Sequence, residues 1–559
     1  MSTELISKIR ESVIGERQLI QTSFGKKPLV YADYTASGRA LTFIEDFISQ
    51  QVLPFYANTH TETSYSGAQT TAYREQARES IRSAVNGSED DQIIFTGAGA
   101  TAAIHKLIDI LNLRLPAELN ERYRLLDQIE PESRPVVFIG PYEHHSNEIP
   151  WRESIADVVV IPLTNSGNLD IAQLKSRLEQ YSDRSLKIGS FSAASNVTGL
   201  KTEVDKVTAL LHRHGAVSFW DYAAAAPYVE INMNPESAIS SKDAVFISPH
   251  KFVGGPGTPG ILVVKKQLLQ NKVPAMPGGG TVMYVTPEDH QYIENHERRE
   301  EGGTPAIVES IRAGLVFQLQ QKVGTERIES LEKGFKQRAL SRWKQHPNIE
   351  ILGNSDEESL SIFSLRLKHQ GKDLHYGYVV ALLNDLFGIQ ARGGCSCAGP
   401  YGHDLLGMDM NYSRALEQEL NNGYMVLRPG WVRLNFNYFI DDSTFDYLLR
   451  AVELVASHGW RLLPYYQFDA DSGTWRFQER KMKLCAELDV LDTSGISDKP
   501  EHATLKELES YSRAAEEQLL KVGRTEARYE IDLPDRVNKL RWFVLPQEIA
   551  LEEALDMAS

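Results

Sequence analysis

Short apolar runs separated by helical patterns are the feature of this sequence that most restricts its fold. Each run is only three or four residues long, which suits a strand buried on both faces and is too short for a helix. A helical pattern from Glu203 to His214, with Gly215 as its stop, is typical of the intervening segments. This alternation predicts a mostly parallel sheet with right-handed crossovers. The seven runs are Ile93–Phe95, Val136–Ile139, Val158–Ile161, Ile188–Phe191, Val217–Trp220, Ala244–Ile247 and Ile261–Val264.

The length of 559 residues allows several domains. We predict an α/β protein with a large domain built on the seven-stranded sheet, a smaller α+β domain and a C-terminal extension. A long amphipathic helix is expected at about 306–345. The extension has an amphipathic pattern from Leu505 to Val522 and an apolar stretch at Trp542–Leu545, which indicate packing or a dimer contact rather than chemistry. The predicted divisions are 1–35, 36–305, 306–460 and 461–559.

Charge and composition exclude several classes of protein. The net charge of −16 argues against a general nucleic-acid or anionic-membrane binder, because no long basic run offsets it. No apolar run approaches about 18 residues, and the N-terminus lacks the apolar core of a signal peptide, so no membrane association is expected. The three cysteines, Cys395, Cys397 and Cys485, are too sparse for a disulfide framework. They favour a reducing compartment, and we therefore predict a cytoplasmic protein.

Polar side chains follow five of the apolar runs, just beyond the point where each run ends. The carboxyl ends of parallel strands converge on one edge of an open sheet, where ligands bind. The alternative is a set of loop residues that satisfy only their local backbone, and this would require five independent coincidences. We therefore predict a ligand site at this edge. The five residues are Thr101, His144, Asn196, Asp221 and Lys251.

Lys251 has the most specific chemical surroundings of these five residues. It follows the run Ala244–Ile247, where a lysine is costly to desolvate unless it has a partner or a task. Ser248, His250 and the amides of the glycine-rich turn that follows suit a phosphate group. A desolvated lysine beside a phosphate site is what Schiff-base chemistry with pyridoxal 5'-phosphate (PLP) requires. From this stretch alone, the alternative is a surface lysine in a strand-to-turn loop.

Three motifs, in this order along the chain, resemble those of fold-type I PLP-dependent enzymes of aminotransferase class V: the turn Gly99–Thr101, Asp221 and the segment Ser248–Lys251. The likeness is closest to the cysteine desulfurase and selenocysteine lyase branch and spans about residues 25–455. It implies the fold of a fold-type I PLP-dependent transferase. The cofactor-binding residues that it implies are Gly99, Ala100, Thr101, His144, Asn196, Asp221, Ser248, His250, Lys251 and Thr304.

The resemblance also implies a role for individual residues in binding PLP. Lys251 would hold the cofactor as a Schiff base and move the proton of the substrate α-carbon. Asp221 would keep the pyridine nitrogen protonated, which makes the ring an electron sink. His144, in a segment similar to the Glu-His-His-Ala-Asn motif of the family, would stack on the ring and assist acid–base catalysis. Thr304 would reach the phosphate of a second subunit, which implies a homodimer.

The segment Arg392–Cys397 resembles the loop that carries the sulfur-accepting cysteine of the family. This places Cys397 with Lys251 and His144 in the implied catalytic set, and no metal is expected. Arg433 resembles the arginine that binds the substrate carboxylate, a task that suits a guanidinium fork, and Arg392 would assist it. The implied substrate is a small amino acid, cysteine, whose sulfur would pass to Cys397 and then to an acceptor protein while alanine is released.

Two residues depart from the family pattern. Ala224 stands where relatives have the glutamine that bonds the phenolic oxygen of PLP, and this keeps open another class V reaction: an aminotransferase, an epimerase, or a selenocysteine or C–S lyase. Cys395 is a second thiol close to Cys397, and it would either resolve a persulfide as a disulfide or simply pack. A third interpretation is a non-enzymatic metal-binding or scaffold protein that uses both thiols and His403. Two thiols and one imidazole fall short of a closed four-ligand zinc site.

Overall fold

The computed structural model describes residues 2–59, 61–478, 500–521 and 529–549, so Cys485 and Val522 lie outside the described residues. The chain divides into two compact units. No helix in the described ranges is long and apolar enough to span a bilayer. The first unit comprises Met1–Ile14, Thr35–Leu331 and Asp356–Leu360, and the second comprises Gly15–Tyr34, Glu332–Ser355 and Ser361–Ser559.

A seven-stranded sheet forms the centre of the first unit, as the sequence predicted. Five neighbouring strands run parallel, and Ile261–Lys265 runs antiparallel between Asp91–Phe95 and Ala244–Ile247. Every residue of Ala244–Ile247 is buried, which is the burial expected inside an α/β sheet. In order across the sheet, the strands are Asp91–Phe95, Ile261–Lys265, Ala244–Ile247, Val217–Asp221, Lys187–Ser192, Val136–Ile139 and Asp157–Val160.

Helices pack against this sheet through apolar side chains. Ile104 and Leu107 of the helix Gly99–Ile110 belong to one core cluster with Phe219 and Phe246 of the strands. Burial of each such side chain stabilises the fold by roughly 1.5–3 kcal/mol. The α-helices described in the first unit are Ser2–Glu11, Thr42–Phe47, Tyr65–Ala84, Gly99–Ile110, Ala117–Tyr123, Ile149–Arg152, Ile171–Gln180, Val204–Arg213, His296–Glu300 and Ile307–Val323.

Buried carboxylates cover the outer edge of Asp91–Phe95, the strand at one end of the sheet. Glu297 Oε1 and Glu301 Oε1 each accept a hydrogen bond from a backbone N–H of this strand at 2.7 Å. Arg78 donates to both carboxylate oxygens of Glu301 at 3.0 Å. An open strand edge can pair with another chain. Here the side chains occupy the hydrogen-bonding groups of the edge, and they attach the segment before Gly302 to the sheet.

The predicted long helix at 306–345 is in fact two helices, Ile307–Val323 and Thr325–Trp343. Gly324 separates them with a φ of +88°, which ends the first helix. The boundary between the two units, after residue 331, falls inside the second of these helices.

Residues 271–305, which the sequence predicted to be a loop, contain regular structure. Val282–Val285 and His290–Tyr292 form an antiparallel hairpin, and the helix His296–Glu300 follows. The strand Val282–Val285 is a short apolar run, but it is mostly exposed and follows the glycine-rich segment 277–281, which indicated a loop. The Asn295 side chain caps the helix by accepting from Arg298 N.

An antiparallel sheet forms the centre of the second unit, in agreement with the predicted α+β architecture. Ile362–His369 pairs with Trp431–Asn435, which pairs in turn with Arg392–Gly394. The other strands described here are Leu19–Thr22, Gly25–Pro28, Val30–Tyr31, Ile349–Ile351, Lys372–Asp373, Ile389–Gln390, Tyr466–Asp469 and Thr474–Phe477. The helices that follow Thr325–Trp343 are Tyr376–Phe387, Gly399–Leu406, Met410–Asn421, Asp442–His458, Leu508–Leu520 and Asp535–Asn538.

The described part of the C-terminal extension contributes to the core of the second unit. Ala515 and Leu519 of the helix Leu508–Leu520 are fully buried, and so is Phe543. Val544 N donates to Asp373 O at 2.9 Å, which joins the end of the described chain to a strand of the unit. These contacts agree with the packing role predicted for the extension. The domain divisions at 35, 305 and 460 stay predictions.

Candidate functional site

Two neighbouring parallel strands bring Asp221 and Lys251 together. The strand Val217–Asp221 pairs with Ala244–Ile247, and Asp221 lies opposite Phe246. Phe246 is one residue before the end of the strand Ala244–Ile247. The loop that carries Lys251 begins directly after that strand. The positive charge of Lys251 acts to lower the pKa of Asp221, so the two side chains lie within electrostatic range.

The turn at Gly99–Thr101 is tied to the lysine loop and forms a small cradle with it. Ala100 N donates to Ser248 Oγ at 2.8 Å. Gly99 has a φ of +56°, and a Cβ built there would lie 2.8 Å from Ser248 Oγ and 3.1 Å from His250 Cε1. Glycine is therefore required for this close approach. The helix N-terminus, the serine and the imidazole line one cradle that suits a phosphate.

The imidazole of His250, which lines this cradle, is uncharged at neutral pH. Burial, and then the positive charge of Lys251, lower the pKa of His250 to about 4. A hydrogen bond to the Ala36 backbone acts in the opposite sense. At pH 7 the ring is therefore a neutral hydrogen-bonding group.

A chain of hydrogen bonds holds His144 and Thr101 at the same edge of the sheet. Thr101 Oγ1 and Ser146 Oγ are 2.7 Å apart. His144 Nδ1 accepts from Ser146 N at 3.1 Å, so the neutral ring carries its proton on Nε2. The sequence interpretation missed Ser146, although it lies inside the Glu143–Asn147 motif.

Glu143 is a buried acid to which the sequence interpretation assigned no role. Its side chain is 1% exposed, and it accepts from Ser192 Oγ at 2.6 Å and from Asn147 Nδ2 at 2.8 Å. Burial raises the pKa of Glu143 to about 7, against the effect of these hydrogen bonds, and the charge of Asp221 raises it further. Glu143 and Asn147 lie four residues apart and hydrogen-bond each other, and this spacing was the sequence signal that could have identified Glu143.

Asp221 is a second buried acid, and it lies within electrostatic range of Glu143. Burial raises the pKa of Asp221, while the hydrogen bond from Ala223 N, at 2.8 Å, and the charge of Lys251 lower it. A cationic ring nitrogen placed beside this carboxylate would relieve its desolvation. The site therefore contains a buried acid of the kind that a protonated pyridine needs.

Three further residues from the sequence analysis, Asn196, Ala224 and Thr304, have different surroundings. Asn196, which follows the strand Lys187–Ser192, is buried, and so is Ala224 in the turn after Asp221. Thr304 is exposed, and its Oγ1 accepts from Asn58 Nδ2 at 3.3 Å. The contact described for Thr304 is thus with a surface loop of its own chain and not with the cradle.

In the second unit, Asp33 bridges the two arginines predicted to bind the substrate. Arg392 Nε donates to Asp33 Oδ2 at 2.9 Å, and Arg433 Nη2 donates to Asp33 Oδ1 at 3.0 Å. The two arginines are direct cross-strand partners, an arrangement that like charges disfavour. Burial lowers the pKa of Arg433 and Asp33 acts to raise it. Two guanidinium groups and one carboxylate leave a net charge of +1, which matches one further carboxylate.

Cys397 lies on a tight turn formed by Cys395, Ser396, Cys397 and Ala398, here named the thiol turn. Ala398 N donates to Cys395 O at 3.2 Å, and the two central residues have φ values of 53° and 56°. These features match a type I′ turn, which normally prefers Asn or Gly at both centres. Cys397 is exposed and Cys395 is half-buried. A negative charge on Cys397 acts to raise the pKa of Arg433, so the thiol lies within electrostatic range of that guanidinium.

The metal-binding alternative finds no support in the part of the chain that the structure describes. Within those ranges, no three His, Cys, Asp or Glu side chains are grouped so that they could hold a metal ion. Cys395, Cys397 and His403 therefore do not form the three-ligand cluster that this alternative required.

The residues of the first unit fit PLP by the chemistry of their donor groups. The cradle that a Cβ at Gly99 would fill has the hydroxyl of Ser248 and a helix N-terminus for a phosphate. Lys251 provides an amine for the aldehyde, and Asp221 provides a buried carboxylate for the ring nitrogen.

Comparison with protein families gives one match over most of the chain. The sequence matches the model of the family described as aminotransferase class-V over residues 30–415. A probable cysteine desulfurase of Halalkalibacterium halodurans is 29% identical over 377 residues, which are 67% of this chain and 85% of that protein. A probable cysteine desulfurase of Staphylococcus aureus strain COL is 26% identical over 392 residues, which are 69% of this chain and 87% of that protein.

Solved structures of cysteine desulfurases share the fold. The structure of the enzyme from Thermococcus onnurineus NA1 superposes with a TM-score of 0.63 at 21% identity, and the match covers 81% of this chain and 98% of that one. For the cysteine desulfurase CsdA from Escherichia coli the TM-score is 0.58 at 22% identity, with 76% and 93% covered. These likenesses concern the fold alone, and they confirm the predicted fold-type I architecture.

The buried acid Glu143 leads to a prediction about stability and pH. A carboxyl whose pKa rises from 4.5 to about 7 on folding gives stability that is complete below pH 4.5 and is lost as the pH rises through 7. In Glu143→Gln this loss should be absent. The wild type should therefore lose about 2.5 kcal/mol of unfolding free energy relative to Glu143→Gln between pH 5 and pH 8.5. Urea denaturation at both pH values measures the difference, and parallel pH profiles would contradict the assignment.

Proposed function

The chain belongs to the aminotransferase class-V family, and we propose that it is a PLP-dependent cysteine desulfurase, which takes sulfur from cysteine and releases alanine. Relatives at 26–29% identity bear the name probable cysteine desulfurase. The observation that carries the proposal is the position of Cys397, an exposed thiol on a tight turn directly after the strand Arg392–Gly394, in which Arg392 pairs with the buried Arg433. Sparse cysteines support a reducing, cytoplasmic location.

The chain's own residues divide the work on the cofactor between them. Bound PLP would supply an aldehyde that captures the substrate amino group and a ring that accepts the electron pair of the α-carbon. Lys251 would hold the aldehyde and afterwards move the α-proton. Asp221 would hold the proton on the ring nitrogen. Ser248, His250 and the turn Gly99–Thr101 would hold the phosphate. His144 and Asn196 would contact the ring.

Arg433 and Arg392 would bind the carboxylate of the substrate. Their shared partner Asp33 holds both guanidinium groups in place and cancels one of the two charges. The remaining charge of +1 suits a single α-carboxylate, and a guanidinium fork gives that contact its geometry. Asp33 is therefore a positioning residue in this proposal.

Cys397 would receive the sulfur. Its thiolate attacks the sulfur of the bound cysteine, a new S–S bond forms, and the bond between that sulfur and the substrate Cβ breaks. The electron pair of the broken bond stays with the substrate, which leaves as alanine after protonation. Cys397 then carries a persulfide, and an acceptor thiol takes the outer sulfur and regenerates the Cys397 thiol. The thiolate is the reactive form of this side chain.

Ala224 favours a second candidate function, another class V reaction such as transamination. A glutamine at this position would bond the phenolic oxygen of PLP, and the buried alanine cannot do so. Release of sulfide and alanine from cysteine, compared with formation of a keto acid, distinguishes the two functions.

Lys251→Ala tests the cofactor site. The purified wild type should contain PLP and show its visible absorbance band. Lys251→Ala should lose that band and reduce turnover to background, because the amine that holds the aldehyde is removed. Circular dichroism should show that the fold persists. A wild-type protein that is colourless and takes up no PLP would contradict the whole proposal.

Cys397→Ala tests the sulfur-transfer step. This variant should bind PLP and cysteine with the same spectral changes as the wild type, because only the attacking thiolate is missing. Its sulfide release from cysteine should fall by at least about 100-fold, the scale at which a covalent nucleophile is lost. Cys395→Ala, a thiol two residues away in the same turn, is the matched control and should have a much smaller effect. Full activity of Cys397→Ala would exclude desulfuration through this residue.

The exposed position of Thr304 supports the proposed homodimer. Its contact with Asn58 lies on the surface of its own chain, and the phosphate that it would bind is therefore proposed to be that of a second subunit. Sedimentation velocity should give twice the chain mass of 62.8 kDa, and Thr304→Ala should weaken PLP binding. A stable monomer with full activity would rule out this arrangement.

A further inference from the structure

Three aromatic rings connect the C-terminal extension to the region of the thiol turn. Trp542 lies nearly parallel to Tyr376, with ring centroids 6.0 Å apart and an interplanar angle of 7°. His375 stacks on Tyr376 at 4.5 Å and on Trp542 at 5.3 Å. We name His375, Tyr376 and Trp542 the aromatic stack. Such offset stacked geometry is the favoured one for aromatic rings.

The Tyr376 ring contacts both chain segments that lead into the neighbourhood of the thiol turn. A Cβ built on Gly393 would lie 2.7 Å from Tyr376 Cδ2, and one built on Gly430 would lie 2.8 Å from Tyr376 Cε1. Gly393 belongs to the strand that immediately precedes Cys395. Neither glycine can gain a side chain without displacing this ring, so a movement of the ring transmits directly to the strand.

The Tyr376 ring also borders a cleft, which leaves it room to move. Tyr376 is half-buried and lines a cleft of about 700 Å³ that also borders Val380 and Gly393. Packing from that direction is therefore incomplete, and the position of the ring depends on the stack. Cys395 lies within electrostatic range of this ring, because a negative charge on its thiol acts to raise the pKa of Tyr376.

Trp542 is itself anchored to the second unit. Its Nε1 donates to Leu427 O at 3.0 Å. The adjoining residue Phe543 forms a parallel bridge with Asp373, and Tyr412 Oη donates to Leu540 O at 2.7 Å. The indole is thus a fixed surface against which Tyr376 rests, and it comes from a part of the chain beyond the residues that the family model matches.

We propose that Trp542 is a positioning residue for sulfur transfer: it holds Tyr376 against Gly393 and so keeps the thiol turn in place at the end of the strand Arg392–Gly394. The proposal rests on the proposed function of Cys397 as sulfur acceptor. It assigns a task to the extension, which sets the geometry of the reactive loop without contacting substrate. Loss of the indole leaves the thiol chemically intact and removes its placement.

The test uses the full-length, PLP-loaded protein with Trp542→Leu and Trp542→Phe. Leucine keeps an apolar side chain but removes the flat ring, whereas phenylalanine keeps a ring that stacks on Tyr376. In a single turnover with cysteine, persulfide formation should slow roughly tenfold or more in Trp542→Leu and stay within about threefold of wild type in Trp542→Phe. A time course of alkylation of Cys397 by iodoacetamide at one fixed pH, followed by peptide mass spectrometry, should reach its midpoint at a different time only in Trp542→Leu, because the thiol turn is no longer held in place.

Trp460→Leu is the matched control. Trp460 lies in the same unit, stacks on His369 at 4.5 Å and donates from Nε1 to Ser457 O at 3.1 Å, yet it belongs to a different stack. This variant should keep the wild-type rate and the wild-type alkylation midpoint. An equal loss in Trp460→Leu would show that general loosening of the unit is the cause, and the proposal would be overturned.

Tyr376→Leu removes the same stack from its other ring and should reproduce the behaviour of Trp542→Leu. Wild-type rate and midpoint in either variant would overturn the proposal. The alkylation midpoint requires no turnover, so it decides the positioning role even if Cys397→Ala still releases sulfide. In that case the proposed function fails by itself, and the two failures are distinguishable.

Discussion

The parallel register between Val217–Asp221 and Ala244–Ile247 is the constraint on which the site of the first unit depends. Asp221 lies opposite Phe246, so its carboxylate and the loop that starts at Ser248 leave the sheet at the same edge. A slip of one residue would turn Asp221 to the other face of the sheet. Every residue of Ala244–Ile247 is buried, and its pairing with a strand on each side fixes the residues that leave the sheet at this edge.

Charge compensation shapes the second unit in a comparable way. Arg392 and Arg433 face each other across a strand pair, and two guanidinium groups in that position repel. Asp33 joins them through one carboxylate, which allows Arg433 to be buried while the cluster keeps a charge of +1. The thiol turn lies within the field of this cluster. In the proposed reaction this positive charge binds the carboxylate of the substrate.

The thiol turn itself shows a local conflict between sequence and conformation. Ser396 and Cys397 both adopt positive φ, although neither is a glycine or an asparagine. Non-glycine residues in the left-handed region cost about 1–2 kcal/mol each, and such strain persists only where the surroundings enforce it. In this molecule the surroundings include the strand at Gly393 and the ring of Tyr376 behind it. A sequence pattern alone favours a mobile glycine-rich loop here, whereas the fold holds a defined turn.

The sequence by itself determined the seven strands, their α/β alternation and the convergence of Lys251 and Asp221 on one edge, because short apolar runs and helical periodicity are local signals. It could not reveal Asp33 as the partner of Arg392 and Arg433, since these residues are 359 and 400 positions apart and an aspartate after a short strand carries no distinctive pattern. It also missed the break at Gly324 and the exposed hairpin at Val282–Tyr292, because the glycine-rich segment 277–281 before the hairpin indicates a loop. The pKa of Glu143 and the stack on Tyr376 were likewise decided by tertiary packing, because burial and ring contacts arise only when distant segments meet.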